Sequence, residues 1–145
     1  MEEKKNKLND ALIIAGLVVL TLVIAYFMAR FEVVRRAQRE YNEGEKFLNF
    51  YRAPDAKKQY YDNKLKKKEI TDIEYEMLME DNALKNAYVE YQTVVDLFTP
   101  PESEWVKKSR QRLSEITPEY NAWVAQLSAE VQKASNAPVK PVKNK

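Results

Sequence analysis

The chain has 145 residues, of which 24 are basic and 22 acidic for a net charge of +2, and it contains no Cys and no His. Thiolate and imidazole chemistry, Cys/His zinc sites, haem ligation by these residues and disulfide staples are therefore excluded, and so small a net charge gives no global field for nucleic acid. Gly16 and Gly44 are the only glycines, so neither a phosphate-binding loop nor a G-x-G nucleotide fingerprint can be drawn.

After a basic tail at residues 1–10, residues 11–29 (ALIIAGLVVLTLVIAYFMA) carry no charge. As a helix this run reaches about 28 Å, close to the hydrocarbon thickness of a bilayer. A core helix of a water-soluble domain would keep one polar face, and none exists here, so a single-pass transmembrane helix is predicted. Lys4, Lys5 and Lys7 resemble the basic start of a secretory signal. The apolar run is nevertheless longer than the roughly 7–15 residues of a signal core, and Met28-Ala29-Arg30-Phe31-Glu32 offers no A-x-A cleavage pattern, so the anchor is expected to be retained.

Ala11, Ala15, Val18, Leu22, Ala25 and Ala29 fall on one stripe of this helix, with small residues at both ends where another helix backbone could approach closely. Arg30, Arg35, Arg36 and Arg39 follow the span and are placed to meet anionic lipid headgroups. These arginines, counted against the three N-terminal lysines, favour a cytoplasmic C-terminal domain. A short basic tail before a long exported domain is, however, the usual form of a signal anchor. The balance tips to an exported, periplasmic domain on a bacterial inner membrane or the inner membrane of an organelle.

Apolar positions continue past the span at Phe31, Val34, Ala37, Tyr41, Leu48 and Tyr51, predicting a helical stalk over residues 30–53 that stops before Pro54, with Gly44 as its weakest point. Residues 55–69 fit either a short helix or a basic loop. There Tyr60, Tyr61, Lys64, Lys66, Lys67 and Lys68 form a candidate partner surface. Thr71-Asp72-Ile73-Glu74 matches a capping box and predicts a helix from 71 to 98, packed through Ile73, Met77, Leu84, Tyr88, Tyr91, Val95 and Phe98. Two further helices are expected, 101–116 with Trp105, Val106, Leu113 and Ile116 inside, and 118–135 with Tyr120, Trp123, Val124, Leu127 and Val131 on one side. Both tryptophans should be largely buried. The last ten residues, NAPVKPVKNK, read as an extended basic arm. The expected fold is thus all-α: a membrane helix, a stalk and a small helical-hairpin or bundle domain over residues 54–135.

The stretch Asn86-Ala87-Tyr88-Val89-Glu90-Tyr91 through Val94, Val95, Phe98 and Pro100, then Trp105, Leu113 and Ile116, resembles a tetratricopeptide-like helical hairpin, with a fainter echo at Tyr41, Gly44, Phe47 and Leu48. The resemblance implies protein or peptide binding and scaffolding. Acidic pairs such as Glu74/Glu76 and Glu80/Asp81 lack calcium-loop spacing and read as solvated helix charges. No catalytic constellation, cofactor, nucleic acid or small-molecule substrate is expected. The functional expectation is a non-catalytic, membrane-anchored accessory or scaffold subunit of an integral membrane protein complex. The alternative is a membrane-tethered tetratricopeptide-like adaptor or chaperone-like binder.

Overall fold

The computed structural model describes residues 2–135, with side chains from residue 12 onward, and the arm expected at residues 136–145 lies outside the described residues. The chain is all-helical in this range, in the order α1 (Glu2–Arg52), α2 (Pro54–Lys66), α3 (Asp72–Glu80), α4 (Ala83–Leu97) and α5 (Glu104–Ser135).

The first helix, α1, runs unbroken for 51 residues, about 75 Å, and begins within the basic tail. It ends because Pro54 disfavours helical backbone at Ala53, which adopts φ −133°, ψ 83°, while Pro54 itself opens α2. The uncertain basic stretch is therefore helix up to Lys66. It closes with Lys68 in the left-handed region at φ 58°. The capping box at the start of α3 forms as the residue pattern requires. The Glu74 amide donates to Thr71 Oγ1, and the Thr71 amide donates to the Glu74 carboxylate at 2.8 Å.

Two expectations about helix boundaries differ from the structure. The single helix expected over 71–98 breaks at Asp81, whose backbone is extended, because Asn82 caps a new helix by accepting the Lys85 amide on its Oδ1. Lys57 from α2 donates its ammonium to the freed carbonyls of Met79 and Asp81 at 2.9 and 2.7 Å, which stabilises the break. Ile73 and Met77 consequently swing away from the stripe begun by Leu84 and stand 72% and 66% exposed. Conversely, the two helices expected on either side of Pro118 are one. Pro118 and Ser114, whose carbonyl loses its helical donor, both face solvent, so water can serve that oxygen; the Thr117 hydroxyl bonds back to Leu113 O at 2.5 Å.

The second half of α1 does not stand apart as a stalk. Ala37, Leu48 and Phe50 are buried, and α1, α4 and α5 form a three-helix bundle in which α4 runs antiparallel to both others. One cluster joins Ala37, Val94 and Val106 at the end nearer the apolar half of α1, and another joins Leu48, Leu84, Ala87, Tyr91 and Ile116 beyond it. Trp105 and Trp123 are mostly but not fully buried at the flanks, packed against the rings of Tyr41 and Tyr120. Past the bundle, Leu127 and Val131 of α5 lie in the open. Small residues at the helix crossings, Ala37, Gly44 and Ala87, let the backbones approach.

Gly44 makes the closest of these contacts. A methyl group at its Cα would fall 2.7 Å from the Tyr91 ring, well inside van der Waals distance, whereas nothing lies within 4 Å of such a group at Gly16. Gly to Ala in a helix ordinarily stabilises by up to about 1 kcal/mol. Gly44→Ala should instead destabilise by about 1–3 kcal/mol through overpacking, and Gly16→Ala should not. Thermal unfolding of both variants in detergent, followed by circular dichroism, checks this reversal of sign.

Candidate interaction surfaces

The apolar half of α1 has a mean hydropathy of 2.7 over its most apolar window, and no residue of that window is covered by the rest of the chain. It is therefore one helix long and apolar enough to cross a membrane. Ala15, Val18, Leu22, Ala25 and Ala29 share one side of it by their spacing, and Val18 and Leu22 are open; the side chain of Ala11 lies outside the described residues. The Thr21 hydroxyl donates to Leu17 O at 2.8 Å, so it bonds its own backbone and takes no part in reaching a neighbour.

The four arginines do not act as one group. Arg30 lies on the side of α1 that faces the bundle, where its guanidinium donates to Tyr26 Oη at 2.9 Å. Arg35, Arg36 and Arg39 occupy the opposite side and are exposed, with Arg36 paired to Glu32 at 2.8 Å. The α2 patch divides as well. Tyr61 is buried beneath Phe50 and edge-on to Tyr60, so it belongs to the core, while Tyr60 stays at the surface with the Lys64 and Lys46 ammonium groups 5.2 and 5.9 Å from its ring. Lys64 and Lys66 sit in the last turn of α2, where positive charge complements the helix dipole. Lys66, Lys67 and Lys68 are exposed, with Lys67 4.0 Å from Glu69.

One polar cluster inside the bundle has no counterpart in the sequence expectations. Glu45 of α1 accepts the Tyr91 hydroxyl of α4 at 2.6 Å and receives Arg112 of α5 bidentately, at 2.7 Å from Nε and 3.0 Å from Nη2; a further guanidinium nitrogen reaches Glu115 at 2.9 Å. Burial alone would raise the Glu45 pKa, but the hydrogen bonds from Arg112, Tyr91 and Tyr41 outweigh it and hold the carboxylate below its usual range. Burial and the bond to Glu45 push the Tyr91 hydroxyl far upward, so it remains a donor. Glu45 and Arg112 are 67 positions apart, and no local pattern announces such a pair.

A second carboxylate behaves oppositely. Glu90 on α4 is raised to about 7 by burial, by its hydrogen bond with Glu40 and by repulsion from Glu40 and Glu43, with Lys46 opposing. Among the described residues no group of three or more His, Cys, Asp or Glu side chains is arranged to hold a metal ion. In comparisons with known proteins the chain matches no family model, no curated protein and no solved structure.

These two carboxylates make stability depend on pH in both directions. Glu90, raised when folded, contributes stability that is fully present below about 4.5 and is lost as pH rises through about 7. Glu45, depressed when folded, contributes stability present above its unfolded pKa near 4.5 and lost as pH falls. The melting temperature should therefore peak at mildly acidic pH. Glu90→Gln should flatten the alkaline side, raising stability at pH 8 by up to about 1 kcal/mol after allowance for the partly exposed site. Arg112→Met, which strands Glu45, should cost about 1–3 kcal/mol at neutral pH. A pH series of thermal melts on the three chains measures both effects.

Proposed function

We propose that this chain is a single-pass membrane protein and a non-catalytic accessory or scaffold subunit of a larger integral membrane protein complex. The carrying observation is the continuity of α1. Its uncovered apolar half needs a nonaqueous environment, and its other half is a wall of the helical bundle. A helix that merely tethered a domain would need no such integration; here any neighbour that seats the span also seats the bundle. Without His or Cys, the chain has neither a thiolate nucleophile nor an imidazole base, in keeping with a structural role. The bundle is read as lying on the exported side of a bacterial inner membrane or of an organelle's inner membrane.

A membrane-tethered, tetratricopeptide-like adaptor is the second reading. It is favoured by the open cleft of about 320 Å³ at the far end of the bundle, lined by Tyr51, Leu84, Glu119 and Trp123, beside the uncovered Val124 and Leu127. Aromatic and apolar side chains with a single carboxylate would suit a peptide segment. Purification from the native membrane in mild detergent separates the two: stoichiometric companions support the subunit, and substoichiometric, exchangeable ones support the adaptor.

The subunit reading makes a specific claim on the span, where close backbone approach in lipid depends on small side chains because burial in an apolar medium supplies no drive. Replacing Ala15 and Ala25 together with Leu should reduce co-purification of the partner complex while leaving insertion intact. Val19 and Val23, off the stripe, should tolerate the same change. Equal partner yields from both double variants would transfer recognition to the bundle alone.

A further inference from the structure

Because α4 runs antiparallel to α1, its C-terminal end points back toward the apolar half of α1. Val94 packs beside Ala37, so Leu97, one turn further on, stands about level with Val34, and the following loop reaches still further along α1. Pro101 and Ser103 close an open groove of about 530 Å³ against Phe27, Arg30, Phe31 and Val34. The uncharged run ends at Ala29, so this loop sits within a few residues' rise, on the order of 5 Å, of the expected edge of the hydrocarbon.

The surface at that level is apolar. Leu97 is 71% exposed and Phe31 69%, and Thr99 and Pro100 of the loop are exposed as well. Scattered exposed leucines need no explanation, but the loop that follows Leu97 closes on the apolar flank of α1 through Pro101 and Ser103. The surface around the whole molecule at about this level is basic in balance. Glu32, Glu102 and Glu104 are each paired, with Arg36, Arg110 and Lys108, while Arg35, Arg39 and Lys107 are exposed and Asp96 is the opposing acid.

We propose that the α4–α5 loop, led by Leu97 and Pro100, is a second membrane contact that lies in the headgroup layer of an anionic bilayer and fixes the bundle against the membrane surface. This rests on the membrane reading of α1. The apolar lip enters the interface while Arg35, Arg39 and Lys107 meet lipid phosphates, each worth about 1 kcal/mol near an anionic surface. The bundle then has two points of attachment, and its rotation about α1 is set by the lipid as well as by any partner protein.

The absence of native cysteine allows single nitroxide labels on the full chain at Leu97→Cys, at the far-end Ile73→Cys and at Val19→Cys within the span. The chains are reconstituted in phosphatidylcholine vesicles with and without phosphatidylglycerol. Accessibility to oxygen relative to a water-soluble nickel chelate should be highest at Val19. At Leu97 it should be several-fold higher than at Ile73 when phosphatidylglycerol is present, and lower without it. A Leu97 label as aqueous as Ile73, with Val19 still buried, overturns the second contact and leaves the anchor intact. An aqueous Val19 overturns both, and equal depth at Leu97 in pure phosphatidylcholine overturns the assignment to an anionic surface.

Discussion

Tyr91 lying across Gly44 is the contact on which the rest of the molecule depends. The ring needs the missing side chain of one residue of α1, and its hydroxyl needs the carboxylate of the next, Glu45, which Arg112 of α5 grips from the other side. Three helices therefore meet around one fully buried side chain, and the apolar contacts on either side can close in only one register. Ala37 then faces Val94 and Val106, and Leu48 faces Leu84 and Ala87. A purely apolar seam would tolerate sliding by a turn. The charged, bidentate pair does not, since sliding strands a half-buried carboxylate.

The charge arrangement around this point is asymmetric. On one side Glu45 is held ionised by a guanidinium, while on the other burial and the neighbouring Glu40 and Glu43 raise Glu90 to about 7. The bundle thus combines a lock that is strong above acidic pH with a neighbouring repulsion that grows toward alkaline pH. Neither depends on the apolar half of α1.

Local signals were readable in the residues, and contacts between distant segments were not. The apolar run at 11–29, the stop at Pro54 and the capping box at Thr71 each depend on a handful of adjacent residues, and each appears where the pattern places it. The expected helix from 71 to 98 failed because helical spacing carries across a break: Ile73 and Met77 keep phase with Leu84 although Asn82 starts a new helix between them. Pro118 misled in the opposite sense, since a proline is tolerated where the carbonyl it leaves unpaired, here that of Ser114, faces water. Gly44 read as a weak point is instead a close-contact site, and only the position of Tyr91, 47 residues later, could have revealed it. Among the proposed surface residues the same limit holds. The Phe50 ring of another helix lies against both Tyr60 and Tyr61, yet only Tyr61 is buried, and adjacent identical residues carry no signal to tell them apart.

The lack of any joint in α1 has a mechanical consequence. With Gly44 clamped and no proline before residue 54, the helix is a stiff rod whose two ends share a single axial phase. A neighbour that twists or tilts one end must turn the other by the same angle. Inserting one residue between the apolar half and Ala37 would swing the bundle by about 100° and raise it by about 1.5 Å relative to that half, opening the groove between Phe31 and Pro101 while leaving the contacts of Gly44, Glu45 and Leu48 with α4 and α5 as they are.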